Sequence, residues 1–527
     1  MLSGKRRHHV TTTNVVSTNP YLPSTTTEPR FPKTSTDLEE CLKPLSDLWG
    51  MHNNELAGML VSQQHHQQQQ RQTEESDVVV GIPSLSKEQL LQVLSLPLVP
   101  GDDDGNNNAA EIQQILKSLY TGANYMTNIY HGDMVHYRGL LEFSNICRCD
   151  CYYCGIRKSM NKSQQQQPQQ HSSSTVDGNN EGEDDDGSHS NKLLQRYLLD
   201  YDTIMDTVRW CSNRGYGSIM LQSGEVVSSK RIKYLTKIIQ SIKEGTPEMG
   251  ISLSVGELSK DQYQTLYDAG ATRYLLRIET TNQKLFEKLH PQPQQTYQQR
   301  INCLRTLNDV GYMVGTGVMI GLPTQTIEDL VNDILFFQNE SYIDMIGMGP
   351  YILQRNTPTG TWWCNEHPEI FDAILAKEQG IATKEQIDMI YRYEASMYEL
   401  TTRMIAITRL LLGDVNIAAT TALQTIHPVG REVAIMRGAN ILMPILTPKT
   451  QRTNYQLYEG KVCVDESKSQ CKSCLELRVM AAGKTIAYND RGDPPHYTRR
   501  RKNAEKEWNE GTKTTTGSGV DGLTINT

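Results

Sequence analysis

No apolar run in this 527-residue chain approaches the roughly 18 residues a membrane-spanning helix needs, and no basic start followed by an apolar stretch marks a secretory leader. The first absence predicts a soluble chain with no membrane partner. The second predicts a reducing compartment, where cysteines stay free or bind metal. Strong positive charge is also lacking, since the net charge is −8. Asp177, Glu181, Glu183, Asp184, Asp185 and Asp186 against Lys162 place most of that in residues 159–191. The remainder is close to neutral, which argues against a nucleic-acid partner.

Hydrophobic residues make up only 37%, and the deficit is local. Residues 1–80 are rich in Thr, Ser, Gln and His, 159–191 carries a Gln run, a Ser run and EGEDDD, and the end beyond about 503 is Lys, Thr and Gly. Setting these aside leaves about 380 residues, enough for one large α/β barrel or two medium domains. The predicted division is a disordered extension over 1–85, a barrel over 86–490 interrupted by the 159–191 insert, and a C-terminal tail over 491–527. The insert has almost nothing apolar to bury, so ordering it would cost roughly 1–2 kcal/mol per residue without offset. A short Gly-Ser linker in its place is expected to leave function unchanged.

Eight β-prone runs alternate with amphipathic helical stretches: 137–143, 218–223, 251–255, 273–278, 313–320, 345–352, 416–422 and 440–446. Helical patterns fill Tyr201–Arg214, Lys260–Ala269, Gln299–Val310, Ile327–Asn339 and Lys384–Leu412. Alternation implies parallel strands with helical crossovers, and eight strands close a (βα)8 TIM barrel. Helices near Lys87–Leu96 and Ala109–Asn128 are expected to cap the barrel bottom. The runs end in Ser144-Asn145, Gln222–Glu225, Glu257, Glu279-Thr280, Gly321–Pro323 and Thr420-Thr421. In a barrel these strand ends form the rim that carries active sites.

Four of eleven cysteines lie within Cys147–Cys154 and three within Cys463–Cys474. Cys147, Cys151 and Cys154 are spaced C-x3-C-x2-C, and three thiolates on one short loop suit iron–sulfur or zinc. A zinc ribbon would need a second C-x-x-C about 15–20 residues on, whereas Cys471/Cys474 lies over 300 residues away. Cys149 intrudes between the ligands and, if neighbouring side chains point apart, has no role.

The loop resembles the radical S-adenosylmethionine (SAM) superfamily motif. RGLLEFSNICRCDCYYCGIR, LQSGE, RYLLRIET, GVMIGLPTQT, IGMGPYI, IAATTALQTIHPVGRE, GANILMPILTP and YQLYEGKVC together resemble the FeFe-hydrogenase maturase HydE family, relatives of biotin synthase. The resemblance implies a 4Fe–4S cluster held by Cys147, Cys151 and Cys154, with one iron open for SAM. It implies SAM contacts at Tyr153, Gln222, Ser223, Glu225, Glu279 and Arg300. Arg277, Thr420, Thr421, Met443, Tyr455 and Tyr458 match positions lining the family's internal cavity, and Cys463, Cys471 and Cys474 match an accessory site for a second cluster, 2Fe–2S or 4Fe–4S.

The implied activity is reductive SAM cleavage, with the radical acting on a small sulfur- and iron-containing precursor during assembly of the H-cluster diiron subcluster. The implied partners are the maturases HydG and HydF and a low-potential reductant such as ferredoxin or flavodoxin. Two rivals stay open: a biotin-synthase-like or methylornithine-synthase-like enzyme on another small molecule, and a non-catalytic iron–sulfur carrier. Biotin synthase needs mid-barrel cysteines, and Cys211 and Cys303 fall in or before helices instead. A carrier has no reason to keep Glu225, Glu279 and Arg300. Residues 1–27 carry Lys5, Arg6 and Arg7, many Ser and Thr and no acid. They resemble a transit segment to an organellar matrix (hydrogenosome, mitochondrion or plastid); a plain disordered extension on a cytoplasmic protein has the same composition.

Overall fold

A computed structural model describes residues 35–51, 55–73, 85–99, 109–160 and 194–516. Eight parallel strands follow one another around a closed barrel: β1 (Met134–Ser144), β2 (Ser218–Ser223), β3 (Gly250–Ser254), β4 (Arg273–Leu275), β5 (Met313–Ile320), β6 (Ile343–Pro350), β7 (Asn416–Ala419) and β8 (Ile441–Leu442). Closure runs through β1, which pairs Arg138 with Ser218 on one side and His136 with Ile441 on the other. A two-residue strand, β9 (Thr485–Ile486), adds to the start of β1.

Alternation along each strand explains why the barrel has two cores. Tyr137, Leu141 and Phe143 of β1 join the main core under the helices, whereas Leu140 joins a separate interior cluster with Met220 and Ile445. A second interior cluster, Met345, Ala418 and Ile441, is joined to the first by Met443, which packs against both. The helices begin at side-chain caps: Asp200 for Tyr201–Ser212, Ser228 for Ser229–Gly245, Ser259 for Lys260–Asp268 and Thr326 for Ile327–Asn339. Each such cap stabilises its helix by ~1 kcal/mol and fixes where the preceding rim loop ends.

Three features depart from the sequence-based expectation. Thr420 and Thr421 lie just past β7: Thr420 is the N-cap and Thr421 the first residue of the helix Thr421–Ile426. The helix Ala109–His131 reaches the barrel bottom only at its end, where His131 meets Arg409 (3.0 Å) and Asn440 (3.2 Å) beside the starts of β7 and β8. Its Gly122 lies where a Cβ would touch Leu42 and Leu410. The floor is closed instead by residues 489–500. Asn416 donates to Gly492 O (2.8 Å), Arg273 pairs with Asp493, and Asp344 receives both His496 (2.9 Å) and Arg500 (2.7 Å).

Two further helices, Ser35–Leu48 and Glu55–Thr73, fall in the stretch that composition assigns to the extension. They bury Leu38, Leu42, Leu45, Leu56 and Leu60, with Trp49 beside them, and Trp49 Nε1 donates to Gln89 O at 3.1 Å. The 159–191 insert lies, from residue 161, outside the described residues. No described helix is long and apolar enough to cross a membrane.

Candidate active site at the barrel rim

The loop after β1 is held from three sides. Arg196 donates to Asn145 O (2.6 Å), Ile156 O (2.7 Å) and Arg157 O (2.6 Å), so one guanidinium spans both ends of the cysteine segment. Within it, Asp150 pairs with Arg157 at 2.7 Å. Opposite, Arg148 N donates to Glu225 O (2.9 Å) and Glu225 N to Cys147 Sγ (3.4 Å), zipping the loop to the end of β2. Gly224 is required there, because a Cβ would stand 2.5 Å from Ile146 O and 2.7 Å from Cys147 Cβ. Gly224→Ala should therefore displace the cysteine loop while leaving the barrel folded. Circular dichroism should match the parent while reconstituted iron content falls severalfold; normal iron content would show the loop can yield.

Cys147, Cys151 and Cys154 face one another closely enough to perturb each other's charge. Burial, then Cys154 and Cys147, push the Cys151 thiol well above its ordinary value. Burial and Cys147 push Cys154 up to about 12, whereas the Cys149 thiol pulls Cys147 down to about 7. Three half-buried free thiols on one short loop form an all-sulfur donor set, which suits iron–sulfur. The residues thus fit a cluster. Cys149 does not turn away: its thiol donates to Glu225 Oε1 at 3.2 Å. Cys151 donates to Gln295 Oε1 at 3.2 Å, and Gln295 is buried.

From this loop a belt of charge follows the rim. Arg148 pairs with Glu225 (2.7 Å), and Glu225 Oε2 accepts from Glu257 N (2.7 Å). Glu257 pairs with Arg300 at 2.6 Å, both nearly without solvent contact. Arg300 then donates to Arg277 O, and Arg277 Nε stands 3.2 Å from Glu279 Oε2. That last contact is not aligned as a hydrogen bond, so both groups keep unused hydrogen-bonding capacity. Glu279 takes a left-handed φ of 68°, uncommon for a residue with a Cβ, and still bridges to Val318. Sequence reasoning missed Glu257 as the member that joins Glu225 to Arg300; its strand-end position was the available signal.

Gln222, near the end of β2, pairs with Glu142 on one side and Ser254 on the other, and Ser223 Oγ donates to Gly224 O (2.8 Å). Tyr153 sits over His290, its hydroxyl 3.3 Å from Nε2 and the rings edge-to-face at 5.5 Å. Burial, with Arg300 nearby, pulls His290 down to about 3, so it meets Tyr153 as a neutral ring.

The expected cavity residues divide into two groups. Arg277 and Met443 are on or beside strands, with Arg277 donating to Val318 O (2.6 Å), and Thr420 Oγ1 donates to Met348 O (3.1 Å). Tyr455 and Tyr458 lie on a segment bonded to the loop after β1, where Asn145 Nδ2 donates to Asn454 O (2.7 Å) and Gly155 N to Leu457 O (2.9 Å). That segment is pinned by Lys461, which donates to Glu142 Oε1 (2.5 Å) and Tyr455 O (2.9 Å), with both members of the ion pair buried. Glu142 also accepts from Thr447 (3.1 Å). The Glu142–Lys461 pair was not anticipated, because 319 residues separate its members.

Residues 141–337 match the model of the radical SAM superfamily. The chain is 35% identical over 401 residues to FeFe hydrogenase maturase subunit HydE of Thermotoga maritima, covering 76% of this chain and 91% of that protein. Among solved structures, methylornithine synthase aligns with a TM-score of 0.54 at 20% identity, over 77% of this chain and 95% of that one. The FeFe-hydrogenase maturase HydG aligns with a TM-score of 0.54 at 15% identity, over 85% and 80%. At those identities the two structures speak for the fold alone. The maturase relative, matched across nearly its whole length, goes further: the chain belongs to the HydE family of radical SAM enzymes of FeFe-hydrogenase maturation, a superfamily that works with a 4Fe–4S cluster and SAM.

Proposed function

We propose that this rim binds SAM beside a cluster held by Cys147, Cys151 and Cys154, and that the barrel interior takes a small sulfur- and iron-containing precursor of the H-cluster diiron subcluster. The observation that carries this reading is the continuous belt from Arg148 through Glu225, Glu257, Arg300 and Arg277 to Glu279. It gathers onto one rim expected SAM contacts that lie far apart in the chain, from Glu225 to Arg300. When bound, the cluster supplies the electron that splits SAM into methionine and a 5′-deoxyadenosyl radical.

The chain's own groups do the rest. Glu225 offers a buried carboxylate to the ammonium of SAM, with Gln222 and Ser223 beside it. Glu279 is placed for the ribose and Arg300 for the methionyl carboxylate, while Tyr153 flanks the adenine. Arg277, Thr420 and Thr421 present donors to an anionic precursor, and Met443, Tyr455 and Tyr458 form walls with polar tips. The Glu142–Lys461 pair keeps the tyrosine segment closed over them and water out.

The folded unit for this chemistry takes in the described residues between 86 and 490, with the packed stretches 36–51, 55–64 and 491–500 added on either side. We place HydG upstream as supplier of the precursor, HydF downstream as recipient, and a ferredoxin or flavodoxin as reductant. A second iron–sulfur cluster is assigned to the Cys463, Cys471 and Cys474 site, and the Lys5–Arg7 extension to organellar import. Thr420→Val and Thr421→Val test the cavity. Thr420 loses one neutral hydrogen bond, worth ~1 kcal/mol, so folding survives. Hydrogenase maturation should fall at least tenfold while uncoupled SAM cleavage persists. Loss of SAM binding instead would move the pair to the cofactor site.

A further inference from the structure

The second cysteine group is built with as much local constraint as the first. One guanidinium nitrogen of Arg452, Nη1, donates to both Cys463 O and Glu466 O, each at 2.7 Å. Arg452 is itself buried and anchored to Thr447 O (2.7 Å) and Ile445 O (3.1 Å). The loop 463–466 is therefore stapled to the segment that follows β8. Cys463 adopts φ 64°, a conformation that residues with a Cβ take only where surroundings enforce it. Ser467 then starts the helix Lys468–Ala481 through a reciprocal capping box with Gln470. Cys471 sits in the first turn and Cys474 three residues on, along the same face.

The outcome is that Cys463 Sγ, a carboxylate oxygen of Glu466 and Cys471 Sγ lie within 4.8 Å of one another. Among the described residues this is the one such group of three potential metal donors. The Glu466 carboxylate makes no hydrogen bond or ion pair to any described residue. Cys474 stands outside that trio, its sulfur accepting from Arg478 Nε at 3.2 Å, and Arg478 in turn pairs with Glu432 at 2.8 Å. Cys463 also packs against the interior cluster of Leu140, Met220 and Ile445, so the site borders the barrel interior.

We infer that Glu466 is a ligand of the second metal site, joining Cys463 and Cys471, with Cys474 completing a set of three sulfurs and one oxygen. The inference rests on the reading that this site holds iron. A half-buried carboxylate and two thiols with their donor atoms within 4.8 Å of one another form a set that one metal centre can bridge. Four protein donors also match what a 2Fe–2S cluster requires. With iron supplied as the ferric ion and sulfur as sulfide, the thiols release their protons to solvent on binding and no electron is exchanged. An oxygen donor on one iron makes the two irons inequivalent. Exchanging thiolates for neutral imidazoles on one iron raises the potential; a carboxylate keeps the charge of a thiolate but donates less electron density to iron, so a smaller rise is expected.

The test uses the full chain carrying Cys147→Ala, Cys151→Ala and Cys154→Ala, reconstituted anaerobically with iron and sulfide, so that any cluster belongs to the second site. Glu466→Ala in this background should speed iron loss to a chelator on the order of tenfold. Glu466→Cys should restore retention, lower the midpoint potential and turn two Mössbauer iron environments into one. A background that takes up no iron overturns the second-site reading and the Glu466 assignment together. Iron uptake left unchanged in retention, potential and spectrum by both substitutions overturns the Glu466 assignment alone.

Discussion

Cys151→Ser is expected to abolish the SAM-responsive EPR signal of the reduced, reconstituted protein, and to lower 5′-deoxyadenosine release by more than about 100-fold. The lower bound comes from supporting partners: losing a group that merely orients a metal ligand costs roughly 10–100-fold. Cys151 is a ligand candidate in its own right, with a thiol facing Cys154 and Cys147. Serine puts a hard, high-pKa hydroxyl where a soft thiolate is needed. The same experiment with Cys149→Ser separates loop damage from ligand loss. Serine keeps a donor to Glu225 where the thiol has one at 3.2 Å, so both signals should persist. Retention of signal and cleavage in Cys151→Ser would remove the cluster from this loop.

A drop from pH 7 to pH 5 should destabilise the fold by at least about 2 kcal/mol, a sizeable part of an ordinary domain's margin. Burial pushes four histidines towards the neutral ring. His131, which also faces Arg409, lies well below its usual range, His136 is lowered, His290 is pulled down to about 3, and His427 down to about 4. In the unfolded chain these rings protonate from about pH 6.5 downward. Stability present above that pH is therefore lost as pH falls towards the folded values, at ~2 kcal/mol each for His290 and His427 by pH 5, with His131 and His136 acting in the same direction. Asp333 works the other way. Burial raises its carboxyl to about 7, although Thr281 donates to it twice. The folded state binds that proton first, so Asp333 returns ~2 kcal/mol over the same interval. The histidines together outweigh the one carboxyl. Denaturant midpoints at the two pH values decide the matter, and an equal or higher midpoint at pH 5 would show Asp333 prevailing.

The barrel was legible in the sequence because its strands are short apolar runs punctuated by capped helices, a local signal repeated eight times. The cysteine loop was legible for the same reason, being contained in eight residues. What escaped was non-local or averaged away. Leu38, Leu42 and Leu45 carry helical spacing, but the Gln- and Thr-rich surroundings lower the mean over the segment. Glu142 with Lys461, and Arg273 with Asp493, join positions hundreds of residues apart, and nothing at either end announces the other. Thr420 was assigned to a strand because a β-prone run does not reveal where its last residue becomes a helix cap. Cys149 was set aside on a rule for neighbouring side chains, whereas it stands two residues from Cys147 in an irregular loop, where no alternation applies.

The floor formed by residues 489–500 is the last part of the barrel to be synthesised. Until Asp493, His496 and Arg500 leave the ribosome, Arg273 and Asp344 lack their counter-charges and the interior is open on that side. Strand closure between β1 and β8 also waits for residue 441. The nascent protein thus has its cysteine loop, with the Arg196 and Glu225 that hold it, by residue 225, well before its floor is in place. Assembly order, as well as the finished shape, separates the step at which iron can reach that loop from the step at which the cavity becomes private.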